Sequence, residues 1–133
     1  MFGKWTLEPA AYVEEVRKYQ ECVGRLFWAA CQDWMCEPAC INGGGIAGRT
    51  APGTGKSIEE HQRLTTQSVL DLQELAPEIP WAPVLQGWTL DDYCRHLQIY
   101  EDAGVDLTKF RAVGVGSVCR REKTDEIAEV FRV

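Results

Sequence analysis

Three short apolar runs most constrain the fold of this 133-residue chain, because each ends abruptly at a polar or glycine cluster and is followed by a helix-like stretch. The runs are Leu26–Cys31, Trp81–Leu85 and Ala112–Val115. Strands that are buried on both faces have continuous apolar runs of this kind instead of alternating ones. The pattern predicts repeated strand, loop and helix units in which parallel strands bring the clusters at their carboxyl ends to one shared site.

Four stretches have the apolar spacing of helices, together with residues that favour helix ends. Two of them begin with a capping box, in which serine or threonine is followed three positions later by an acidic residue. The predicted limits are Pro9 to Gly24, Ser57 to Leu75, Thr89 to Gly104, and Thr124 onward. The first strand is predicted over 25–31, and Pro83 is expected at the beginning of the second strand or on an edge. Residues 32–56 are predicted to form a long irregular segment, with a glycine-rich insertion at 41–56.

Composition limits the class of protein. A formal net charge of -6 excludes general electrostatic attraction to nucleic acid or to an anionic membrane, so any nucleic-acid contact must be local. The chain has neither a long apolar run nor a signal-peptide pattern, which predicts a soluble cytoplasmic protein without a membrane partner. In that compartment the cysteines are expected to be free and buried, notably Cys31, Cys94 and Cys119. One domain is expected, well short of the roughly 250 residues of a complete (β/α)₈ barrel.

Two sequence motifs suggest other chemistry. Residues 51–57 resemble the end of a phosphate-binding P-loop, with Lys56 as its lysine, but Thr50 replaces the first glycine and no buried strand precedes the motif. A loop that leads into a capped helix is the alternative. Zinc is the second possibility, because three cysteines and a histidine occur in the first half of the chain, but their spacing is not that of paired ligands: Cys31, Cys36, Cys40 and His61.

We therefore predict no metal and no other cofactor. The two histidines, His61 and His96, are expected to be solvent-facing residues of helices and not catalytic bases, because neither follows a strand.

Asp33 and Gln86 stand close behind the first and second apolar runs. An ionised aspartate offers only acceptors and a glutamine offers both a donor and an acceptor, which together suit a guanine-like edge. Nearby glycines would let the backbone approach a flat ring, and tryptophans could form its wall: Gly114, Gly116, Trp34 and Trp88. The alternative is an aspartate that caps a helix and a glutamine in a turn, since both residue types are common there.

Three segments carry a family resemblance. In chain order they are QDWMCEP at 32–38, PVLQGWTLDDY at 83–93 and VGVGSVCRR at 113–121. They resemble successive motifs of the tRNA-guanine transglycosylase superfamily, and they are most similar to its DNA-acting, deazapurine-modification branch, found in bacteria and their phages. The resemblance covers the chain from about Trp5 to Arg132, and only the glycine-rich stretch at 41–55 is longer than the family pattern.

The resemblance implies a (β/α)₈ barrel that exchanges guanine for a 7-deazaguanine through a covalent glycosyl-enzyme intermediate. This chain would be a partial TIM-barrel segment, α/β in class, with about three parallel strands and flanking helices. Asp33 matches the family's base-recognising aspartate, Gln86 its base-contacting glutamine, and 114–116 the glycine segment that lines the base pocket. Gly87 and Ser117 lie in the same motifs and are included among the base-recognition residues. The base would have to leave the stack to enter this pocket.

The chain also departs from the family pattern. In the family, the proton-transfer aspartate lies upstream of the region matched here, and the nucleophilic aspartate lies on a strand past Val133. Neither has a counterpart, so we assign no catalytic residue. The zinc cluster of the tRNA-acting members would also lie downstream, and the cysteines of this chain do not inherit that role.

The first hypothesis is therefore a base-exchange transglycosylase segment that carries base recognition without the catalytic aspartates. By resemblance its partners are a nucleic acid, DNA in preference to tRNA, and a 7-deazapurine base, with a complementary barrel fragment or a second copy of the chain. The alternative is a non-catalytic module that binds a deazapurine or complements a barrel. A P-loop nucleotide-binding protein is the weaker alternative.

Overall fold

The computed structural model of this chain describes residues 5–46, 49–118, 121 and 124–130. Helices and short strands alternate along the described part. In chain order the elements are α1 (Pro9–Val23), β1 (Ala29–Ala30), α2 (Pro38–Asn42), β2 (Gly44–Ile46), β3 (Arg49–Ala51), α3 (Ile58–Leu75), β4 (Trp81–Ala82), β5 (Val84–Leu85), α4 (Leu90–Asp102), a 3₁₀ turn (Leu107–Lys109), β6 (Gly114–Val115) and α5 (Thr124–Val130).

The helix limits predicted from the sequence are confirmed. α1 ends at Gly24, whose φ of 71° suits glycine. Both capping boxes form: the Glu60 amide donates to the Ser57 hydroxyl at 3.1 Å, and the Asp92 amide donates to the Thr89 hydroxyl at 3.3 Å. Each box satisfies amides at a helix start that have no partner within the helix.

Four of the described strands form two parallel pairs, β1 with β4 and β5 with β6. Ala29 of β1 lies opposite Trp81 of β4, and Val84 of β5 lies opposite Gly114 of β6. Pro83 separates β4 from β5, so residues 81–85 pair with one neighbour in their first half and with the other in their second half. Sequential parallel strands occur both in (β/α)₈ barrels and in open α/β sheets, so the barrel stays a prediction.

The first strand is shorter than the sequence predicts. It covers only Ala29–Ala30, and Phe27 and Trp28 before it are 69% and 52% exposed. The reason lies in the partner strand, because the Ala29 amide donates to the carbonyl of Pro80 at 3.0 Å, and proline has no N–H with which to continue the ladder. The apolar run therefore extends beyond the paired strand onto the surface.

The predicted irregular segment contains regular structure. α2 and the antiparallel hairpin of β2 and β3 occupy its middle, and residues 47–48 lie outside the described part. Beyond the hairpin the chain folds back on α2, where the Thr54 amide donates to the Cys40 carbonyl at 3.0 Å. A Cβ at Gly53 would lie 2.1 Å from the carbonyl oxygen of Ile41, so this close approach requires glycine.

The hydrophobic core lies between the parallel strands and the helices α1, α3 and α4. Trp81 is its centre on the strand side: its ring lies 5.9 Å from that of Tyr12, and its indole N–H donates to the Ala76 carbonyl at 2.9 Å. The buried residues of the core are Val13, Val16, Ala29, Cys31, Val69, Leu72, Ala76, Ile79, Trp81, Tyr100 and Val105. None of the helices in the described part combines the length and apolar character that a membrane span needs.

Candidate functional site

Residues from three neighbouring strand ends meet at one point. Asp33 follows β1, Gln86 follows β5 directly, and Ser117 lies two residues beyond β6. The Gln86 carboxamide nitrogen donates to a carboxylate oxygen of Asp33, and the Ser117 hydroxyl donates to the Gln86 carboxamide oxygen at 2.7 Å. The structure thus joins these residues, which the sequence assigned to base recognition, by direct hydrogen bonds.

Two of the predicted glycines are required by close packing in this cluster. A Cβ at Gly116 would lie 2.0 Å from the carboxamide nitrogen of Gln86, and a Cβ at Gly87 would lie 2.9 Å from the Cβ of Asp92. Gly114 is different, because its Cβ would meet the nearest atom, a methyl group of Val84, at an ordinary 3.4 Å. Gly116 therefore makes room for the Gln86 side chain, whereas Gly114 does not have that role.

The backbone amide of Cys36 completes the cluster. It donates to the Ser117 hydroxyl at 2.9 Å and approaches the Gln86 carboxamide oxygen at 3.4 Å. Ser117 is buried and has a φ of 57°, in the left-handed region that residues other than glycine rarely occupy. Sequence analysis missed the Cys36 amide, because a backbone donor leaves no mark in the residue types.

Gln86 and Asp33, which are hydrogen-bonded to each other, differ sharply in burial. Gln86 has an exposed fraction of 0%, while Asp33 is only half-buried. Burial raises the pKa of the Asp33 carboxyl above its usual range, and the hydrogen bond from Gln86 opposes that rise. Asp33 is therefore the hydrogen-bond acceptor of this pair that a ligand can reach. Direct contact between Gln86 and a ligand would require its carboxamide to become accessible.

The prediction that both histidines face solvent is wrong. His61 and His96 each have an exposed fraction of 0%. The ring of His61 bridges two loops, with Nδ1 2.7 Å from the Met35 carbonyl oxygen and Nε2 2.7 Å from the Thr54 hydroxyl. This burial is not visible in the residue pattern, because the helix face of each histidine is covered by segments whose path depends on tertiary packing.

His96 supports the strand end that carries Gln86. Its Nδ1 accepts the backbone N–H of Gln86 at 2.8 Å, so this nitrogen carries no proton and the neutral ring is the fitting form. Its ring stacks on Tyr100 with centroids 4.6 Å apart. Burial lowers the pKa of His96 to about 4, which keeps the ring neutral at physiological pH.

Acid should destabilise the fold through His96. Its pKa is 6.5 in the reference state and about 4 when folded, so the unfolded chain binds more protons between these values. The contribution of neutral His96 to stability is complete above pH 6.5 and is lost as pH falls toward 4. At about 1.4 kcal/mol per pKa unit, the loss amounts to about 3 kcal/mol in the free energy of unfolding. Denaturant titrations at several pH values should show that His96→Gln loses about 3 kcal/mol less than the wild type over this interval. Equal losses would contradict the assignment.

Gln62 lies behind the cluster and links it to α4. Its carboxamide nitrogen donates to the carbonyls of Gln86 and Asp92, each at 2.7 Å. Both oxygens of the Asp92 carboxylate are engaged at the start of α4, one with the amides of Trp88 and Thr89 and the other with Arg95 at 3.0 Å. Asp92 thus has a structural role in this part of the chain.

The two tryptophans proposed as walls pack against different partners. Trp34 packs edge-on against His61 and lines a cavity of about 220 Å³ beside α3. Trp88 lies under the guanidinium of Arg121, 4.5 Å from its ring centroid. Arg121 also donates to the carbonyls of Trp88 at 2.6 Å and Ser117 at 3.2 Å. Sequence analysis gave Arg121 no role, although it lies in the third motif.

The alternative motifs find little support in the described part. Cys31, Cys36 and Cys40 are buried, and burial raises the pKa of the first two to about 12. No group of three or more potential metal ligands occurs among the described residues. Cys94 is exposed, contrary to expectation, and Cys119 lies outside the described residues. In the P-loop-like segment, the Thr54 and Gly55 amides donate to α2 carbonyls, so they cannot cradle a phosphate.

Comparison with known proteins gives one match. A family model described as DpdA, DeoxyPurine in DNA protein A, matches residues 1–133, which is the whole chain. No curated protein sequence matches the chain. No solved structure matches it either. Because the family model spans the full length and the three motif segments meet at one site, the chain belongs to the DpdA family.

Proposed function

We propose that this chain provides the base-recognition part of a transglycosylase that inserts a 7-deazaguanine into DNA. The observation that carries the proposal is the contact between Asp33, which follows β1, and Gln86, which follows β5, where each strand ends. Ligand sites of parallel α/β folds lie at those ends. Membership of a family described by a purine in DNA favours DNA over tRNA as the polymer.

Asp33 is the group that we propose reads the base. Gln86 donates to it, which favours the ionised carboxylate, and an ionised carboxylate only accepts hydrogen bonds. Guanine and 7-deazaguanine present neighbouring N–H donors on the ring and the exocyclic amine, whereas adenine presents a bare ring nitrogen beside its amine. Asp33 therefore matches a guanine-type edge.

We further propose that the chain alone does not break the glycosidic bond. Asp92, another buried carboxylate close to Gln86, is occupied by the helix cap and Arg95, so it cannot take the role of the second catalytic carboxylate. A complementary barrel fragment would supply the missing groups. Phe27 and Trp28, exposed beside β1, offer apolar surface to such a partner.

Base binding tests the central claim. Calorimetry with the wild-type chain should detect binding of 7-deazaguanine, with no competition from 7-deazaadenine. Asp33→Asn replaces an acceptor with a donor at nearly constant shape, so the affinity should fall at least about 10-fold. Asp106→Asn is the matched control, because Asp106 caps the 3₁₀ turn before β6 and asparagine caps equally well. Absence of wild-type binding, or equal affinity in Asp33→Asn, would refute base recognition by Asp33.

Incorporation tests the incomplete chemistry. The chain is incubated with labelled 7-deazaguanine and with either DNA or tRNA, and the polymer is digested to nucleosides. We expect no label in either polymer. Robust incorporation by the chain alone would contradict the claim that catalytic groups are missing, and label in tRNA instead of DNA would contradict the proposed substrate.

A further inference from the structure

Hydrogen bonds with a fixed direction join four groups at the site, and the Cys36 amide also approaches the Gln86 carboxamide oxygen directly at 3.4 Å. The hydrogen bonds run from the Cys36 amide to the Ser117 hydroxyl at 2.9 Å, from that hydroxyl to the Gln86 carboxamide oxygen at 2.7 Å, and from the carboxamide nitrogen to Asp33. Ser117 and Gln86 are both nearly or fully buried, with exposed fractions of 5% and 0%. Water therefore cannot readily replace any link between them.

The direction follows from the chemistry of the first link. A backbone N–H can only donate, so the Ser117 oxygen accepts from Cys36, and the single proton of that hydroxyl is left for Gln86. The carboxamide atom nearest Ser117 must then be the oxygen. The nitrogen consequently points at Asp33, where it meets an acceptor. A reversed carboxamide would place two acceptors against each other at Asp33 and two donors against each other at Ser117.

We propose that Ser117 is a positioning residue that sets the orientation of the Gln86 carboxamide and thereby keeps Asp33 an ionised acceptor for the base. The positioning role rests on the proposed function in one respect only, namely that the base is the group that donates a hydrogen bond to Asp33. Ser117 acts through Gln86 and does not itself touch the base. Its strained backbone, with φ of 57°, is what brings the hydroxyl between the Cys36 amide and Gln86.

The groups that surround Asp33 allow its ionisation to be measured. Four groups interact electrostatically with it: Tyr12 on α1, Cys31 and Cys36 in the segment after β1, and Tyr100 on α4. Burial raises the pKa of each of these groups, so they stay neutral in the acid range. His96 has a pKa of about 4 and titrates in that range, so the measurement must resolve the Asp33 carboxyl itself.

The test is a carbon-13 NMR titration of the Asp33 carboxyl in the full chain, which requires no ligand. Ser117→Gly removes the hydroxyl and relieves the left-handed backbone, so the relief offsets part of the stability lost with the two buried hydrogen bonds. Ser117→Ala removes the same hydroxyl but keeps the strain. We expect the Asp33 pKa to rise by about one unit in both variants, the size expected when a hydrogen bond to a charged group is lost.

The outcomes separate the two proposals. An Asp33 pKa that rises in Ser117→Gly supports the positioning role, even if the chain binds no 7-deazaguanine. An unchanged pKa in Ser117→Gly overturns the role, even if the base binds as proposed. A rise in Ser117→Ala alone also overturns it, because strain and not the hydroxyl would then be the cause. If Ser117→Ala does not fold, Ser117→Gly decides.

Discussion

Gly116→Ala should disable the cluster more completely than any other single methyl group added to the chain. Its Cβ would lie 2.0 Å from the Gln86 carboxamide nitrogen and 2.5 Å from its carbon, well inside van der Waals contact. The carboxamide ends a flexible side chain, but it is fully buried and held by Asp33 and Ser117. It can move aside only by giving up these bonds. We expect a loss of about 4 kcal/mol in the free energy of unfolding, measured with denaturant.

Gly114→Ala is the matched control for this substitution. Both glycines lie in or next to β6, but the nearest neighbour of a Cβ at Gly114 is a Val84 methyl group at 3.4 Å. Gly114→Ala should change the unfolding free energy by less than about 0.5 kcal/mol. If both variants were equally stable, the Gln86 side chain would not be held against Gly116 as the structure has it.

The limits of the long helices could be predicted because their signals are local. A capping box such as Ser57 with Glu60, or a stop such as Gly24, acts within one helical turn and is readable from neighbouring residues. The length of β1 could not be predicted in this way. It depends on Pro80, far along the chain, which ends the ladder before Trp28 can join it.

The candidate site likewise has features that are readable from the sequence and features that depend on distant residues. Asp33, Gln86 and Ser117 could be predicted, because strand-end position and residue type are both visible in the sequence. The direction of their hydrogen bonds could not, since it is set by the backbone amide of Cys36. Nor could the burial of His96, which comes from the meeting of α4 with the end of β5. Sequence thus predicts which residues gather, whereas packing decides which one a ligand can reach.

Gln62→Ala should be the most damaging substitution on α3. The Gln62 carboxamide nitrogen satisfies two buried carbonyls, those of Gln86 and Asp92, at 2.7 Å each. Truncation removes both hydrogen bonds, leaves both oxygens without this donor and opens a cavity at a position with no solvent exposure. Neutral hydrogen bonds contribute about 1 kcal/mol each and the cavity adds to their loss, so we expect a loss of about 3 kcal/mol in the free energy of unfolding.

Gln67→Ala on the same helix provides the comparison. Gln67 is exposed and bonds only to Asp71, one turn ahead, at 2.8 Å, so its loss should cost less than about 0.5 kcal/mol. Because Gln62 holds the backbone of Gln86, its truncation should also weaken 7-deazaguanine binding, and Gln67→Ala should not. Equal stability of the two variants would show that the link from α3 to the strand end contributes nothing. If Gln62→Ala were as stable as the wild type but bound 7-deazaguanine more weakly, Gln62 would contribute to base binding and not to the stability of the fold.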